Sequence, residues 1–328
     1  MKKGKPLIQV DQLSRKFRIR PNWTGLLKRE YVQAVEGLNL SIYPGETFGL
    51  VGESGCGKTT LGRMLVGLTI PNSGKIYFQN QLVIWDDRSV WTQLRSKIQM
   101  VFQDPYSSLT PSLNIMRNIK EVIEIHTELR DLAVINQVKK LIELVGLTTD
   151  ILTKYPYELS GGQRQRVAIA RTLAVEPQFL ILDEPLSALD VSTQAQIVNL
   201  LIKLQKKLGL TYLLISHDLK LVQHMSDYVG IMYLGKLVEI LPANLFSESR
   251  HPYTQMLLAA VPKPDPTIKA KDVPVTGELP SPIDPPQGCS FHTRCWLANQ
   301  SCIELEPTLR SFGTEHLVAC HRAEELHH

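Results

Sequence analysis

Apolar runs alternate with stretches of helical periodicity from about residue 7 to 245, which predicts a mostly parallel sheet covered by helices. Phe179 to Leu182 is apolar at every position, as a strand buried on both faces requires, and Leu210 to Ile215 has the same character. Between them Ile197, Val198, Leu201, Leu204 and Leu208 mark one face of a long helix that stops at Gly209. Leu7 to Val10 and Leu38 to Ile42 read as early strands, and Gln99 to Phe102 as a short buried one. Ile76 to Phe78 and Leu82 to Ile84 read as a hairpin across Asn80. Ile135, Val138, Leu141, Ile142 and Val145 give the face of a helix ending at Gly146, so residues of about 104 to 165 read as a helical insertion. After Ile240 the pattern changes. Residues 261 to 287 are proline-rich and aperiodic, a linker or extended loop leading to a small module at 288 to 322.

Composition narrows the setting. A chain of 328 residues holds one large or two modest domains. A net charge of +4 is too small to argue for a nucleic-acid partner. Stretches such as Val167 to Leu182 are interrupted by Arg171 and Glu176, so no run is apolar enough to span a bilayer. The start, Met1-Lys2-Lys3-Gly4-Lys5-Pro6, lacks the apolar segment of a secretory signal, and the expected location is the cytosol. In that reducing setting the five cysteines point to metal or burial rather than to disulfides.

The chemistry begins at Gly52-Glu53-Ser54-Gly55-Cys56-Gly57-Lys58-Thr59-Thr60, which follows the apolar run Thr47 to Val51 and opens a helical pattern through Leu61, Met64, Leu65 and Leu68. Strand, glycine-rich loop and helix in this order form a phosphate loop, whose backbone N–H groups close around phosphate oxygens at the positive end of the helix dipole. Lys58 is expected to reach the β- and γ-phosphates of ATP, and the Thr59 hydroxyl to hold Mg2+. Asp183 and Glu184 end the buried strand at the carboxyl edge of the sheet, where open α/β folds place ligands. Asp183 is expected in the Mg2+ shell, which frees Glu184 to orient or deprotonate the attacking water. His217 follows another apolar strand, as a donor to the γ-phosphate. Gln103 follows Gln99 to Phe102 as a neutral group for Mg2+ and the water. Taken singly, Glu184, His217 and Gln103 are ordinary polar residues at strand ends; the loop gives them a common purpose. Ser160-Gly161-Gly162-Gln163 opens a further helix and forms a second anion half-site about a hundred residues from the first. As an isolated feature it is a helix cap. If one subunit cannot close both half-sites on one nucleotide, a dimer clasping each ATP between two chains is expected.

Gly52 to Thr59, Gln103, Leu159 to Gln163, Phe179 to Glu184, Ser187-Ala188-Leu189-Asp190 and His217 occur in the order and approximate spacing of the ATP-binding cassette ATPases, and the chain resembles them over about 1 to 245. The resemblance implies a P-loop NTPase of RecA-like core with a helical subdomain at about 104–165, and a head-to-tail dimer with two ATPs at its interface. It implies Glu184 as catalytic base, Gln103 as a Mg2+-contacting residue that senses the transporter, and Asp190 as a cross-interface contact. Phe17, after Arg15 and Lys16, falls where the family places an aromatic that stacks on adenine, although residues 18 to 31, with Trp23, look like a longer loop than compact members have. Finer matches, Val101-Phe102-Gln103-Asp104-Pro105, Ser160 to Arg166, Asp183 to Ser192 and His251-Pro252-Tyr253-Thr254-Gln255, are similar to the dipeptide/oligopeptide/nickel importers, the dipeptide ATPase subunits above all. Such importers pair two different ATPase subunits beneath two transmembrane permeases, fed by an extracytoplasmic substrate-binding protein. The implied place is peripheral, on the cytoplasmic face of the cell membrane. The solute implied is peptide, with nickel as the alternative. A soluble ABC ATPase of DNA repair or translation would need a long coiled-coil insertion or a second cassette, and neither is present.

Residues 246–328 form the expected C-terminal extension. Cys289, Cys295, Cys302 and Cys320 stand with 5, 6 and 17 residues between them. Four thiols so close suggest a Cys-rich metal module, and the absence of a tight Cys-x2-4-Cys pair leans away from zinc. His292 and His321 flank the set and would suit a Zn2+ site instead. The peptide-importer ATPases share this tail, and the resemblance implies a [4Fe-4S] cluster on the four cysteines. Cys56 belongs to the phosphate loop and is left out of it.

Overall fold

Three strands in which every residue is buried set the architecture, and a ligand can reach them only at their ends. The structure, a computed structural model, describes residues 4–19, 30–106, 108–261 and 277–326. In chain order come β1 (Ile8–Arg18), β2 (Tyr31–Ile42), β3 (Thr47–Val51), α1 (Lys58–Leu65), β4 (Ser73–Phe78), β5 (Gln81–Leu82), α2 (Arg88–Lys97) and β6 (Ile98–Val101). Next are α3 (Ile115–His126), α4 (Asp131–Leu144), α5 (Gly161–Leu173), β7 (Phe179–Asp183), α6 (Val191–Leu208), β8 (Thr211–Ile215) and α7 (Leu219–Met225). The last are β9 (Tyr228–Tyr233), β10 (Lys236–Pro242), α8 (Pro252–Ala259), α9 (Gln300–Glu304), β11 (Arg310–Ser311) and β12 (Leu317–Val318).

Among the described residues the larger sheet has the order β11-β12-β10-β9-β3-β8-β7-β6. From β9 to β6 the neighbours are parallel; β10, β11 and β12 add an antiparallel edge. A second, antiparallel sheet, β2-β1-β4-β5, lies over one face. Alternation along the buried strands divides their side chains between two cores. Phe179, Ile181, Leu213 and Ile215 join the antiparallel sheet and α1. Leu180, Leu182, Tyr212 and Leu214 join the side of α3, α4, α5 and α6.

Several expectations change in detail. The early strands are much longer than the apolar runs within them, because β1 and β2 pair along nearly their whole length. In α4 the buried position is Val134 and Ile135 is only half-buried, a shift of one residue around the helix. Leu208 is 44% exposed, since α6 ends there in the left-handed cap of Gly209. Between β6 and α5 lie α3 and α4 with two short 3-10 turns, Thr149–Thr153 and Pro156–Glu158. Residues 20–29 of the expected long loop, Trp23 among them, and 262–276 of the expected linker lie outside the described residues. No helix among the described residues is long and apolar enough to cross a membrane.

The C-terminal extension joins the larger sheet. β12 pairs with β10 through Glu239 with Val318 and Ile240 with Leu317. Glu239 is completely buried; it accepts N–H bonds from Arg250 at 2.6 Å and His251 at 3.3 Å, and His316 Nε2 lies 2.7 Å from its Oε1. A buried carboxylate persists only when so many donors satisfy it.

Candidate nucleotide site

β3 delivers the chain to its carboxyl end, and Gly52 turns it sharply. Two glycines are demanded by space as well as by φ. A Cβ on Gly52 (φ +155) would meet Met232 O at 2.1 Å, and one on Gly57 (φ +109) would meet Ala34 O at 1.9 Å. Gly57 caps α1 with no side-chain hydrogen bond, so the first-turn N–H groups have no side-chain acceptor and face an anion's natural position. Lys58 is folded over the loop, its Nζ donating to Gly52 O at 2.7 Å and Glu53 O at 2.9 Å, with Cys56 Sγ at 3.6 Å. Burial raises the Cys56 thiol pKa, so it stays neutral within the loop.

The carboxyl ends of the neighbouring parallel strands bring the remaining groups to the same place. Thr59 Oγ1 donates to Asp183 Oδ1 at 3.0 Å. Burial pushes the Asp183 carboxyl pKa up, partly offset by that hydrogen bond. Glu184 adopts a left-handed φ of 45°, fixed by its N–H donating to Ile215 O at 2.9 Å. That turn aims its carboxylate at two residues: Gln103 Nε2 donates to Oε2 at 3.0 Å, and His217 Nδ1 lies 3.2 Å from Oε1. Gln103, Glu184 and His217 thus come from the ends of β6, β7 and β8, side by side in the sheet.

These groups line an open cleft of about 610 Å3 whose wall includes Phe17, Val32, Ala34, Ser54, Gly55, Gly57, Lys58, Thr59, Thr60, Gln103, Glu184 and His217. The volume suits a nucleotide. Phe17 is 38% exposed, with the Arg15 guanidinium 4.6 Å from its ring centroid. It stands on the rim of the cleft, where a core residue would not. Val32 and Ala34, from β2, are wall residues that apolar patterning did not single out. Oxygens of Thr59 and Asp183 together with Gln103 are the hard donors Mg2+ takes, so this donor set fits that ion.

Ser160, Gly161, Gly162 and Gln163 do not line this cleft. Ser160 is exposed and caps α5: its Oγ accepts from Gln163 N–H at 3.3 Å, while Gln163 Oε1 accepts from Ser160 N–H at 3.0 Å. A Cβ on Gly162 would lie 2.5 Å from Thr193 Cγ2, so this glycine permits close packing on α6. Asp190 caps α6, with Ser192 and Thr193 donating to its carboxylate and holding its pKa well below the usual carboxylate range.

The C-terminal cysteines give less than expected. Among the described residues no group of three or more His, Cys, Asp or Glu is disposed to hold a metal ion, so the structure does not support the metal module. The Cys289 and Cys302 backbones are paired, Cys289 N–H donating to Cys302 O at 2.8 Å. The Cys289 pKa rises to about 11 and that of Cys320 to about 12, through burial first and then neighbouring thiols. His292 Nδ1 lies 2.9 Å from Cys289 O and His321 Nε2 2.9 Å from Leu305 O, so each commits one ring nitrogen to a backbone carbonyl.

Residues 35–187 match the family model described as ABC transporter, and residues 238–302 the one described as oligopeptide/dipeptide transporter, C-terminal region. The chain is 46% identical over 323 residues to the putative oligopeptide transport ATP-binding protein YkfD of Bacillus subtilis, covering 96% of this chain and 95% of that one. It is 42% identical over 322 residues to the dipeptide transport ATP-binding protein DppF of Haemophilus influenzae, covering 98% of each. The ATP-binding cassette MJ0796, solved as a dimer with ADP and Pi, superposes with a TM-score of 0.64 at 27% identity, covering 72% of this chain and 98% of that chain. The loop, the cleft at the carboxyl edge and these full-length likenesses agree: the chain belongs to the ATP-binding proteins of ABC transporters that carry the oligopeptide/dipeptide transporter C-terminal region.

Proposed function

We propose that the chain is the ATP-hydrolysing subunit of an importer of dipeptides and oligopeptides. The observation that carries this is the convergence of Lys58, Thr59 and Glu184 on one cleft, with Asp183 bonded to Thr59, in a chain alike over nearly its whole length to peptide transport ATP-binding proteins. ATP lies with its phosphates on the N–H groups of Gly55 to Thr60 and its adenine on Phe17. Lys58 leaves the carbonyls of Gly52 and Glu53 for the β- and γ-phosphates. Mg2+, held by Thr59, Asp183 and Gln103, supplies positive charge to the phosphate oxygens. Glu184 takes a proton from the attacking water as its oxygen bonds the γ-phosphorus; the bond to the bridging oxygen breaks and ADP leaves. His217 donates to the γ-phosphate as charge develops there.

Ser160, Gly161, Gly162 and Gln163 act on the nucleotide of a second cassette, with Asp190 at the same interface. The exposure of Ser160 and Asp190, and the absence of all five residues from the chain's own cleft, support this reading. The second cassette is a different ATPase subunit, and the pair works under two membrane permeases fed by an extracytoplasmic binding protein, at the cytoplasmic face of the membrane. The chain divides into a cassette at 1–245, with its helical part at about 104–165, and an extension at 246–328.

Cys289, Cys295, Cys302 and Cys320 hold a [4Fe-4S] cluster. The four would supply the thiolate ligands such a cluster takes, and their side chains are near enough to one another to interact. Anaerobic purification followed by iron, sulfide and zinc analysis tests it; zinc at one equivalent without sulfide, or no metal, refutes it. The function itself is tested in vesicles carrying the assembled importer. ATP-dependent dipeptide uptake that Lys58→Ala abolishes is the expected result, and uptake of nickel in place of peptide would overturn the solute assignment.

A further inference from the structure

The phosphate loop is held from behind by the C-terminal extension. Glu53 N–H donates to the Tyr253 hydroxyl at 2.8 Å, and Arg294 Nη1 reaches both carboxylate oxygens of Glu53, at 3.1 and 3.0 Å. These partners lie 200 and 241 residues away in sequence. Tyr253 is fully buried at the start of α8, and Arg294, only 8% exposed, sits in the short turn His292–Arg294 immediately before Cys295. An aromatic cluster binds the two positions into one body. Tyr233 of β9 packs 4.6 Å from Tyr253 and edge-on 5.3 Å from Phe291, and the Tyr253 and Phe291 rings lie 5.4 Å apart.

The peptide unit between Gly52 and Glu53 is what this arrangement controls. Its N–H goes to Tyr253, and because a trans peptide is planar its carbonyl, that of Gly52, faces the opposite way, where it accepts Lys58 Nζ at 2.7 Å. The next carbonyl, of Glu53, accepts Lys58 at 2.9 Å, and the side chain on the same residue is tied to Arg294. The rest position of the phosphate-binding lysine is therefore set by a peptide plane that the extension holds.

We infer that Arg294 and Tyr253 are positioning residues for the phosphate loop, through which the packing of the cysteine-rich extension sets the affinity for Mg-ATP. The inference rests on the nucleotide site proposed above and adds a regulator to it. A charge-assisted pair at a site where only one partner is on the loop couples the order of the extension to the order of the loop. Disordering the extension then costs nucleotide affinity more than turnover, since neither side chain touches the reacting atoms.

The test uses the full chain and a fluorescent ATP analogue with Mg2+. Arg294→Met is expected to weaken binding about tenfold, an effect in the range of ordinary coupling between sites. Glu53→Gln should weaken it by a similar factor, and the double variant no further, because each single change already removes the pair. Arg294→Lys should retain most of the affinity, and Tyr253→Phe should lose several-fold. In the assembled importer Arg294→Met should raise the KM for ATP about tenfold and leave kcat within about threefold. Helical circular dichroism and the melting curve identify any variant that does not fold; Glu53→Gln, on the half-exposed loop, then carries the comparison with Tyr253→Phe. Wild-type affinity in Arg294→Met or Glu53→Gln, effects that multiply in the double variant, or a fall in kcat at unchanged KM would overturn the inference and leave the nucleotide site standing. Absence of nucleotide binding by the wild-type chain, or unimpaired binding by Lys58→Ala, would overturn the nucleotide site and the inference together.

Discussion

Replacing Glu184 by Gln isolates one proton from everything else the residue does. Its backbone holds a left-handed φ of 45° through the N–H bond to Ile215 O, and Gln, of the same length and branching, keeps both. The amide oxygen still accepts from Gln103, and the amide nitrogen faces His217 Nδ1 as a donor. The loss is confined to the negative charge and the ability to take a proton from water. A positioned general base contributes about 10^2 to 10^4 in rate, or about 3 to 5 kcal/mol of barrier, and turnover should fall by that much. Binding should move the other way. Burial is the main push upward on Asp183, the Thr59 bond opposes it, and the Glu184 charge adds to the push, so neutralising Glu184 relieves repulsion with Asp183 and with the anionic phosphates. ATP affinity is expected to hold or tighten. Pi release by the assembled importer at saturating ATP, set beside a Kd from nucleotide titration, reads both. A kcat within tenfold of wild type, or an affinity loss matching the loss of turnover, would refute the assignment of Glu184 as the base.

Three further outcomes follow from the geometry. Gly57→Ala drives a Cβ to within 1.9 Å of Ala34 O at φ +109°, a cost of more than about 2 kcal/mol from strain and overlap; nucleotide binding should be lost and the melting temperature should fall, and a variant that binds ATP normally contradicts the loop geometry. Phe17→Ala removes a stacking surface worth about 1 to 3 kcal/mol, so Mg-ATP should bind about tenfold more weakly while binding of inorganic triphosphate is unchanged; equal effects on both ligands would remove adenine from this face. His251 is buried neutral, its pKa pushed down to about 4 by burial, while the unfolded chain takes up its proton near the ordinary 6.5. The unfolded state therefore binds more protons as pH falls through 6.5, and roughly 3 kcal/mol of stability drains away between pH 6.5 and about 4. His251→Asn keeps a cap for the Tyr253 N–H without a titrating ring, so its stability measured by denaturant unfolding should lose that part of the slope.

Much of the site was legible because its parts lie next to one another in sequence or at strand ends. Gly52 to Thr60 is one continuous stretch, and a Cβ on Gly52 or Gly57 would meet backbone at distances no side chain tolerates. Asp183, Glu184, His217 and Gln103 each follow an apolar strand, and parallel strands align those ends by themselves. The sequence His251-Pro252-Tyr253 stood out as part of a resemblance, yet its work, holding Glu53 from behind, depends on a partner 200 residues away and had no local signal. Arg294 was equally silent, a basic residue among cysteines until the fold set it against Glu53.

Periodicity along the chain was enough to settle which segments are strands of a buried parallel sheet and where the carboxylates of Asp183 and Glu184 emerge from it, since burial and alternation are properties of consecutive residues. Pairing between distant segments was not determined that way: the antiparallel sheet of β1, β2, β4 and β5, the addition of β12 to β10, and the attachment of the C-terminal extension to the phosphate loop all arise from contacts between residues far apart in the chain. Such contacts are selected by which surfaces remain uncovered once the local elements have formed, and only the assembled molecule carries that information.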